Sequence, residues 1–342
     1  SGVLKDTDIL SNIKDAYTKE DGSIYTMPVK FGIPMIEGNK DIIAGITDLT
    51  TEADAAESQK DSYGKLQFFS DFSIAPSYLI QGTIDNSIPA WMNEDGTLNE
   101  NAVKEYLEQV NRIWQTQKNA IEETKKAYQM GDDWADSDHS GYMDISGSVT
   151  SLLAKVDTVA AGGLLSPEGL VSLDSARKVD PDLDYKLLNG QSENCFYPRS
   201  AVGVSAKASE KEAAEKFVKF LFEEESQRAS NTEGLAVNSK VYEDMAYWKM
   251  GKSSGDTIGS IGASYDTGDG NIKQIEMDEI IPEDEAIQNI MDLGKTLTVP
   301  AKSNQIIRNA VTESGEKYLN GETGLDDAVK EIMQEVNLYL SE

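Results

Sequence analysis

The segment "TMPVKFGIPMIEGNKDII", residues 26–43, alternates apolar side chains with others before it reaches a polar triplet. Its apolar positions lie two residues apart, at Val29, Phe31, Ile33 and Met35. This spacing is the period of a strand with one buried face, and prolines at positions 28 and 34 exclude a continuous helix. The pattern predicts a strand that ends in a turn, either as an ordinary core strand or as a crossover between two lobes.

Two helices are predicted where a capping signal and a helical apolar period coincide. In "TLNENAVKEYLEQVNRIW", Thr97 and Glu100 have the spacing of a capping box. The buried face of this helix is expected to contain Val103, Tyr106, Leu107, Val110, Ile113 and Trp114. In "SEKEAAEKFVKFLFEEESQ", Ser209 and Glu212 repeat the device before the apolar positions Ala213, Ala214, Phe217, Phe220 and Leu221. The alternating "VGVS" before this segment predicts a strand, a tight turn and a helix.

The C-terminal part predicts a helical hairpin, broken at Asn320-Gly321. Its second helix presents an apolar face at Leu325, Ala328, Val329, Ile332, Met333, Val336 and Leu340. Shorter segments, "GYMDIS" and "DYKLLNG", predict strands, and residues 251–271, rich in Gly and Ser, predict a long loop. Because helices and strands alternate, the sequence favours α/β layers over a helical bundle.

Composition narrows the class of protein. A length of 342 residues allows two domains or one large one, and 39% hydrophobic residues support a core. Mean hydropathy is −0.45 and no apolar run is long enough to span a bilayer, which argues against a transmembrane protein. The sequence has 31 Lys and Arg residues and 60 Asp and Glu residues, and the resulting net charge of −29 disfavours nucleic acid as a partner.

Catalytic side chains are scarce. The single histidine, His139, lies in the polar loop "GDDWADSDHSG", which favours a solvated loop residue over a catalytic one and leaves no His-rich zinc site. The single cysteine, Cys195, rules out an internal disulfide, and no histidine lies near it in sequence. A buried structural thiol is therefore favoured over a nucleophile.

Nucleotide and metal sites are also disfavoured. Gly251-Lys252-Ser253 matches the end of a phosphate-binding loop, but the first glycine of that motif falls at Ala246 and a helix-like segment precedes it. The acidic positions in residues 132–138 lack EF-hand spacing, so a solvated run is favoured over a calcium site. Neither a cofactor nor a metal ion is predicted. Glycoside hydrolysis, which needs only two carboxylates, stays open as an alternative.

Aromatic residues beside turns offer a different chemistry. They are Tyr25, Phe31, Tyr78, Trp91, Trp134, Tyr142, Phe196 and Tyr197. Apolar sugar faces stack on aromatic rings, while sugar hydroxyls bond to Asp, Asn and Arg. The segment "NCFYPRS" supplies Phe196, Tyr197 and Arg199 together, although each ring taken singly also fits ordinary packing. The cluster indicates a carbohydrate site.

Several segments, in order, resemble one family. "DGSIYTMPVKFGIPMIEGNKDII" is similar to the strand of bacterial extracellular solute-binding proteins, family 1, that runs into Asn-Lys-Asp. "NCFYPRSAVGVSAKASEKEAAEKFVKFLFEEESQ" followed by "GLAVNSKVYED" resembles that family's return strand, helix and turn. "LGKTLTVPAKSNQIIRNAV" and "YLNGETGLDDAVKEIMQEVNLYLSE" resemble its C-terminal helices. The resemblance extends over most of the chain from residue 15 onward.

The resemblance implies a two-lobe α/β fold of the type II periplasmic-binding-protein class, with a ligand held between the lobes. Residues 26–43 would make the first crossing between the lobes and residues 196–206 the return crossing. Of the candidate side chains, Phe31, Tyr197 and Arg199 would face the cleft, with Phe196 beside them. Tyr142, Ser146 and Ser148 would line the wall of the second lobe, and Trp91 would lie near the cleft.

The chain also departs from the family pattern. It opens at what resembles the end of the first lobe, so the N-terminal lobe is expected to be incomplete by on the order of a hundred residues. The implied division is residues 1–45 as a remnant of the N-terminal lobe, 46–198 as the C-terminal lobe, 199–240 as the return to the N-terminal lobe, and 241–342 as C-terminal-lobe helices. Glu37-Gly38 replaces the aromatic pair that relatives usually carry in the cleft.

The resemblance therefore predicts a binding protein that is not an enzyme. It would capture a carbohydrate outside the cell and deliver it to the permease subunits of an ABC transporter, as a monomer held at the cell surface by a lipid anchor in the full-length protein. The alternatives are a glycoside hydrolase or other carbohydrate-active enzyme with paired carboxylates, and a structural surface domain without a ligand.

Overall fold

The computed structural model describes residues 2–59, 75–127, 149–155, 158–229, 234–267, 270–302 and 304–340. After a 3₁₀ turn at Gly2–Leu4, the helices are α1 Ser11–Tyr17, α2 Lys40–Ile43, α3 Leu49–Gln59, α4 Pro76–Ile84, α5 Ile88–Trp91, α6 Glu100–Ala127, α7 Val149–Ala154, α8 Pro167–Val179, α9 Lys211–Leu221, α10 Glu224–Arg228, α11 Ser239–Tyr242, α12 Met245–Trp248, α13 Asp284–Thr296, α14 Gln305–Leu319 and α15 Leu325–Leu340. The strands are β1 Met27–Asn39, β2 Ala160–Leu165, β3 Leu183–Leu187, β4 Cys195–Val202, β5 Leu235–Ala236, β6 Thr257–Asp266, β7 Ile272–Ile280 and β8 Val299–Pro300. The predicted α/β class is confirmed.

Strand β1 organises a six-stranded sheet. Its first half pairs with β4 and β5, its second half pairs with β2 and β3, and all four pairings are antiparallel. Asn39 ends the strand because its side-chain oxygen accepts hydrogen bonds from the N–H groups of Asp41 (3.0 Å) and Ile42 (3.4 Å). These bonds cap α2. The strand predicted over this segment is confirmed, and the polar triplet after it is the start of a helix.

The sheet separates two apolar cores. The first core cluster includes Phe31, Met35, Phe196, Tyr242 and Trp248. The second core cluster includes Ile36, Trp91, Tyr106, Val110 and Ile307. Because successive side chains of a strand point to opposite faces, Met35 contributes to the first cluster and Ile36 to the second. Each large side chain buried in this way contributes roughly 1.5–3 kcal/mol to folding.

The long helix α6 confirms the face predicted from its period. Val103, Tyr106, Leu107, Val110, Ile113 and Trp114 are all buried. The predicted capping residue is wrong, however, because Asn99 rather than Thr97 accepts the bonds from the first N–H groups, those of Asn101 and Ala102. Thr97 instead bonds to the Asp95 carboxylate. Asn is among the strongest helix caps, so it competes well with the predicted box.

The C-terminal hairpin is confirmed, although Leu340, predicted on the apolar face of its second helix, is 36% exposed. Helices α14 and α15 are separated at Asn320 and Gly321, and Gly321 has a φ of 80°, the left-handed conformation that favours glycine. Asn304 caps α14 through bonds from the N–H groups of Ile306 and Ile307. Together with α6, the hairpin closes the second core cluster.

Helix α9 buries a different face from the one predicted. Val218 and the following Phe222 are buried, whereas Phe217 is 60% exposed and Phe220 is 52% exposed. No side chain caps its first turn, so the predicted cap at Ser209 is wrong. The strand before it, β4, ends at Val202 and includes only the first residue of the predicted "VGVS" strand. An amphipathic period fixes which residues share a face, but the rotation of the helix on its neighbours decides which face is buried.

The predicted long loop over residues 251–271 is wrong for its central part, residues 257–266. Residues 257–266 form β6, which pairs antiparallel with β7 as a two-stranded sheet. Alternate residues of β6 are more and less exposed, and Met277 of β7 is buried in the first core cluster. The Gly and Ser content concealed a strand whose half-buried positions include Ile261, Ala263 and Tyr265. The predicted strand "DYKLLNG" is confirmed in β3. The predicted strand "GYMDIS" lies outside the described residues.

The division into lobes stays a prediction. Residues 241–297 pack in the first core cluster with residues 4–35, whereas residues 307–336 pack in the second. The two parts of the predicted last segment, 241–342, therefore lie on opposite faces of the sheet. Within the described ranges, no helix is long and apolar enough to cross a membrane.

Candidate ligand-binding site

Strand β4 divides the predicted Phe-Tyr-Arg cluster between its two faces. Phe196 points into the first core cluster, where its ring meets that of Phe31 at 6.2 Å in an edge-to-face arrangement. Tyr197 points the other way and packs with Leu164 and Ala301. Arg199 shares the face of Tyr197, because side chains two positions apart lie on one side of a strand. Strand geometry thus brings Tyr197 and Arg199 together and separates Phe196 from them.

Phe31 and Phe196 are core residues in this conformation. Neither ring has solvent-accessible surface, and Phe31 also packs against Tyr242 with 5.6 Å between ring centroids. Tyr197 exposes 5% of its surface and Arg199 is half-buried. Among the four predicted residues on the two crossing strands, the accessible surface therefore belongs mainly to Arg199, with a small part from Tyr197.

Gly32 lets the sheet close around Tyr197. It is the register partner of Tyr197, and a Cβ at this position would lie 3.0 Å from Cδ1 of Leu164. That distance is tighter than ordinary van der Waals contact, so a side chain here would push Leu164 away from its place beside Tyr197. The glycine permits the close packing of the Tyr197 face.

Lys30 adds a second cation to this face, next to Arg199. The two residues are register partners on β1 and β4. Lys30 is buried, its Nζ donates to the backbone oxygen of Gln227, and it lies 5.8 Å from the centre of the Tyr247 ring. The sequence analysis missed Lys30, although a lysine between the apolar Val29 and Phe31 of a buried strand was a visible signal.

The segment after β8 connects the strand of Tyr197 to a buried ion pair. The backbone N–H of Ala301 bonds to the oxygen of Phe196 (2.8 Å), and that of Lys302 bonds to the oxygen of Asp85 (3.0 Å). The Asp85 carboxylate in turn accepts a hydrogen bond from Nη1 of Arg308 at 3.0 Å. The two residues are 223 positions apart in sequence, so no local signal linked them.

Asp85 is the member of this pair with an unsatisfied hydrogen-bond acceptor. It is 7% exposed, and its second carboxylate oxygen, Oδ1, has no hydrogen-bond partner among the described residues. Burial raises the pKa of Asp85 to about 6, although the positive charge of Arg308 opposes the change. The Asp85 carboxylate is thus held by one guanidinium group, that of Arg308, and keeps one acceptor oxygen without a partner among the described residues.

Trp91 lies apart from these residues. It is fully buried in the second core cluster, its ring meets that of Tyr106 at 5.0 Å, and its Nε1 donates to Oε1 of Gln191 at 2.5 Å. This packing gives Trp91 a role in holding the 189–194 loop on the second core cluster. Tyr142, Ser146 and Ser148 lie outside the described residues, as does His139.

Cys195 is buried and its pKa is raised to about 12 by burial, which confirms the predicted structural thiol. Helix α12 precedes Gly251 where a phosphate-binding loop would require a strand. Within the described residues, no group of three or more His, Cys, Asp or Glu is arranged to hold a metal ion.

Comparison with known proteins adds to this geometry. The model of the bacterial extracellular solute-binding protein family matches residues 2–228. No curated protein sequence matches the chain. Among solved structures, the chain is similar to a cyclic alpha-maltosyl-1,6-maltose binding protein from Arthrobacter globiformis, with a TM-score of 0.50 and 15% identity over 99% of this chain and 77% of that one.

Two further structures show the same likeness. A Streptococcus pneumoniae solute-binding protein in complex with the blood group A-trisaccharide gives a TM-score of 0.51 at 15% identity, over 99% of this chain and 76% of that one. A sugar transporter from Arthrobacter chlorophenolicus A6 with bound laminaribiose gives 0.52 at 12% identity, over 98% and 75%. At these identities the likeness concerns the fold alone, and it confirms the predicted type II periplasmic-binding-protein class.

Proposed function

Because this chain belongs to the bacterial extracellular solute-binding proteins, we propose that it captures a carbohydrate outside the cell and delivers it to the permease of an ABC transporter. The family consists of binding proteins, so the chain is not an enzyme and the glycoside hydrolase alternative is set aside. The relatives with bound trisaccharide and laminaribiose support a carbohydrate as the solute.

The proposed location of the site rests on one observation: Tyr197 and Arg199 lie on the same face of β4. A tyrosine ring offers an apolar surface to a sugar face, and the guanidinium offers several donors in one plane to its hydroxyl oxygens. Asp85, whose backbone oxygen accepts the N–H of Lys302 after β8, would add Oδ1 as an acceptor for a hydroxyl hydrogen. These three groups form the donor and acceptor set that a polyhydroxylated ligand requires.

Access to Tyr197 calls for a change of conformation. Its 5% exposure leaves little surface for a ligand, so we place ligand entry in a state in which Leu164 and Ala301 separate from the ring. A ligand that contacts both walls stabilises the closed state over the open one by its difference in affinity for the two. Binding and release would then follow hinge closure about β1 and β4, without any bond made or broken.

The finer points of cellular context are part of the same proposal. The family is extracellular, and attachment to the cell surface by a lipid anchor, as a monomer, follows the pattern inferred from the resemblance. The relatives named above exceed this chain by about a quarter of their length.

A thermal-shift screen of mono- and oligosaccharides tests the function, and isothermal titration with any hit tests the site. A ligand at a hundred times its Kd adds about 2.7 kcal/mol to stability, which a thermal shift detects easily. We expect Tyr197→Ala and Arg199→Ala each to weaken binding at least about tenfold, the loss that removing one well-placed group causes. Arg112→Ala, which removes an exposed ion pair far along α6, is the matched control and should bind normally.

The outcomes separate the two parts of the proposal. If a saccharide binds and both variants keep its affinity, the carbohydrate function stands and the site lies elsewhere. If no saccharide shifts the melting temperature, of this chain or of a version extended upstream, the carbohydrate assignment is refuted.

A further inference from the structure

Strand β3 has a free edge within the part of the chain that the structure describes, where it pairs only with β1. The bonds from the N–H of Leu188 to the oxygen of Pro34 and from the N–H of Lys40 to the oxygen of Asp182 fix its hydrogen-bonding phase. In an antiparallel pair the bonded positions alternate, so the backbone groups of Tyr185 and Leu187 point away from β1. They form a row of donors and acceptors at the outer edge of β3.

A groove of about 560 Å³ follows this edge. One wall is β3, through the consecutive residues Asp184, Tyr185 and Lys186, which alternate between its two faces. The opposite wall is α13, through Ala286, Asn289 and Leu293, which are spaced along one helical face. Because both faces of β3 line the groove, the space lies along the strand edge itself. The buried Met35 and Ile290 make its floor apolar.

An edge strand opposite a helix, over an apolar floor, is the geometry in which an extended peptide adds to a sheet. Main-chain hydrogen bonds to the edge supply affinity, and alternate side chains of the peptide point to the floor. A compact small molecule would leave the row of backbone groups on β3 unused. The geometry therefore favours an extended chain as the occupant.

Charge defines the composition of that peptide. On the strand side, Arg177 is already paired with Asp184 at 3.3 Å and stacks over the Tyr185 ring at 5.0 Å, and Lys186 donates to the oxygen of Ala44. On the helix side, Glu283 and Glu285 are exposed at the mouth of the groove and form no ion pair within the described residues, unlike Asp284 between them, which pairs with Lys249. These carboxylates, and a net charge of −29, attract cationic side chains.

We propose that the groove between β3 and α13 is a second binding site, separate from the carbohydrate site, that takes an extended basic peptide as an additional strand on β3. The peptide pairs with the backbone of Tyr185 and Leu187, places alternate apolar side chains over Met35 and Ile290, and directs a Lys or Arg side chain to Glu283 and Glu285. This site does not depend on the proposed carbohydrate function.

Fluorescence anisotropy with a labelled, end-blocked peptide Lys-Val-Thr-Val-Lys tests the proposal on the whole chain. Asn289→Trp places a large ring in the groove from an exposed helical position. Gln288→Trp places the same ring on the preceding residue, which is also exposed but does not line the groove. We expect the first variant to weaken binding at least about tenfold and the second to leave it unchanged, with equal far-UV circular dichroism in both. Glu283→Gln with Glu285→Gln should weaken binding and flatten its salt dependence.

A separate experiment tests whether the peptide binds as an additional strand on β3. Two versions of the peptide carry N-methyl groups on one or the other set of alternate amides, and one of these sets faces β3. At least one version should lose about tenfold or more in affinity, because strand addition needs those donors. The proposal is overturned if the peptide does not bind, if Glu-Val-Thr-Val-Glu binds equally well, if both methylated versions bind like the parent, or if Asn289→Trp has no effect. Self-association that Asn289→Trp abolishes, without peptide binding, would assign the groove to a second copy and also refute the proposal.

Discussion

Replacing Arg308 with methionine should destabilise the protein strongly and in a pH-dependent manner. The ion pair of Arg308 with Asp85 is nearly excluded from solvent, with 16% and 9% of the two side chains exposed and 3.0 Å between Nη1 and Oδ2. At this distance and an effective dielectric constant of about 20, the attraction is about 5 kcal/mol, and much of it offsets the desolvation of the two charges. Removing one partner leaves a buried charge unpaired, so we expect a loss of about 3–5 kcal/mol at pH 7.5.

The pH dependence follows from the pKa of Asp85, which burial raises to about 6 from an ordinary value of 3.8. A carboxyl group with a raised pKa binds its proton more tightly in the folded state, so its contribution to stability is complete below pH 3.8 and is lost as the pH rises through 6. The total loss is about 3 kcal/mol in the natural sequence. Without Arg308 the pKa rises further, so the loss continues to higher pH.

Urea denaturation at pH 4.5, 6 and 7.5 measures this effect. The destabilisation by Arg308→Met should be largest at pH 7.5 and shrink toward pH 4.5, where Asp85 is protonated. In an Asp85→Asn background the same replacement should have a smaller effect that does not vary with pH. Arg112→Met is the control, because its pairs with Asp54 and Glu57 are exposed and should contribute about 1 kcal/mol or less. A loss for Arg308→Met that is below 1 kcal/mol, or equal at all three pH values, would refute the reasoning.

Three further predictions rest on single residues. Burial raises the pKa of Glu52 on α3 to about 8, so its contribution to stability falls between pH 4.5 and 8. Glu52→Gln should abolish that part of the pH dependence of the unfolding free energy, as measured by urea denaturation. The same pH dependence in both proteins would contradict this. Cys195 should resist alkylation by iodoacetamide at pH 8 in the folded protein and react after unfolding, because it is buried and its pKa is raised to about 12. Equal alkylation rates in the folded and unfolded protein would show that the thiol is accessible. Phe222→Ala should lower the free energy of unfolding by about 3–5 kcal/mol, because the ring is fully buried. Phe217→Ser, on the exposed face of α9, should change it by no more than about 0.5 kcal/mol. Similar losses in urea denaturation would mean that the buried face of α9 is assigned incorrectly.

The sequence by itself determined the elements with a strong and long period. The 2-residue alternation of Val29 to Met35 specified β1. The 3.6-residue pattern of α6 and α15 specified both helices and, apart from the exposed Leu340, their inward faces. These signals are reliable because each element has a continuous buried face, and β1 has two, so the constraint is repeated at every turn or every second residue. The order of segments that resemble a known family also indicated the solute-binding class.

Short-range patterns failed where tertiary contacts decided the outcome. The residues of β6 read as a loop because Gly and Ser are poor strand formers, yet pairing with β7 and packing of Met277 stabilise it as a strand. The amphipathic period of α9 was visible, but its rotation against the first core cluster buries Phe222 and exposes Phe217. A local pattern contains no information about the partner that covers it.

The candidate binding site shows most clearly which properties the sequence determines and which the tertiary structure decides. The sequence placed Phe196, Tyr197 and Arg199 in one cluster, and the pleat of β4 sends the first into the core and leaves the other two on the opposite face. The Asp85–Arg308 pair joins residues 223 positions apart, and the groove beside β3 exists only where α13 returns to the sheet. Residue chemistry is written in the sequence, whereas burial, pairing and the position of a free strand edge follow from how distant segments pack together.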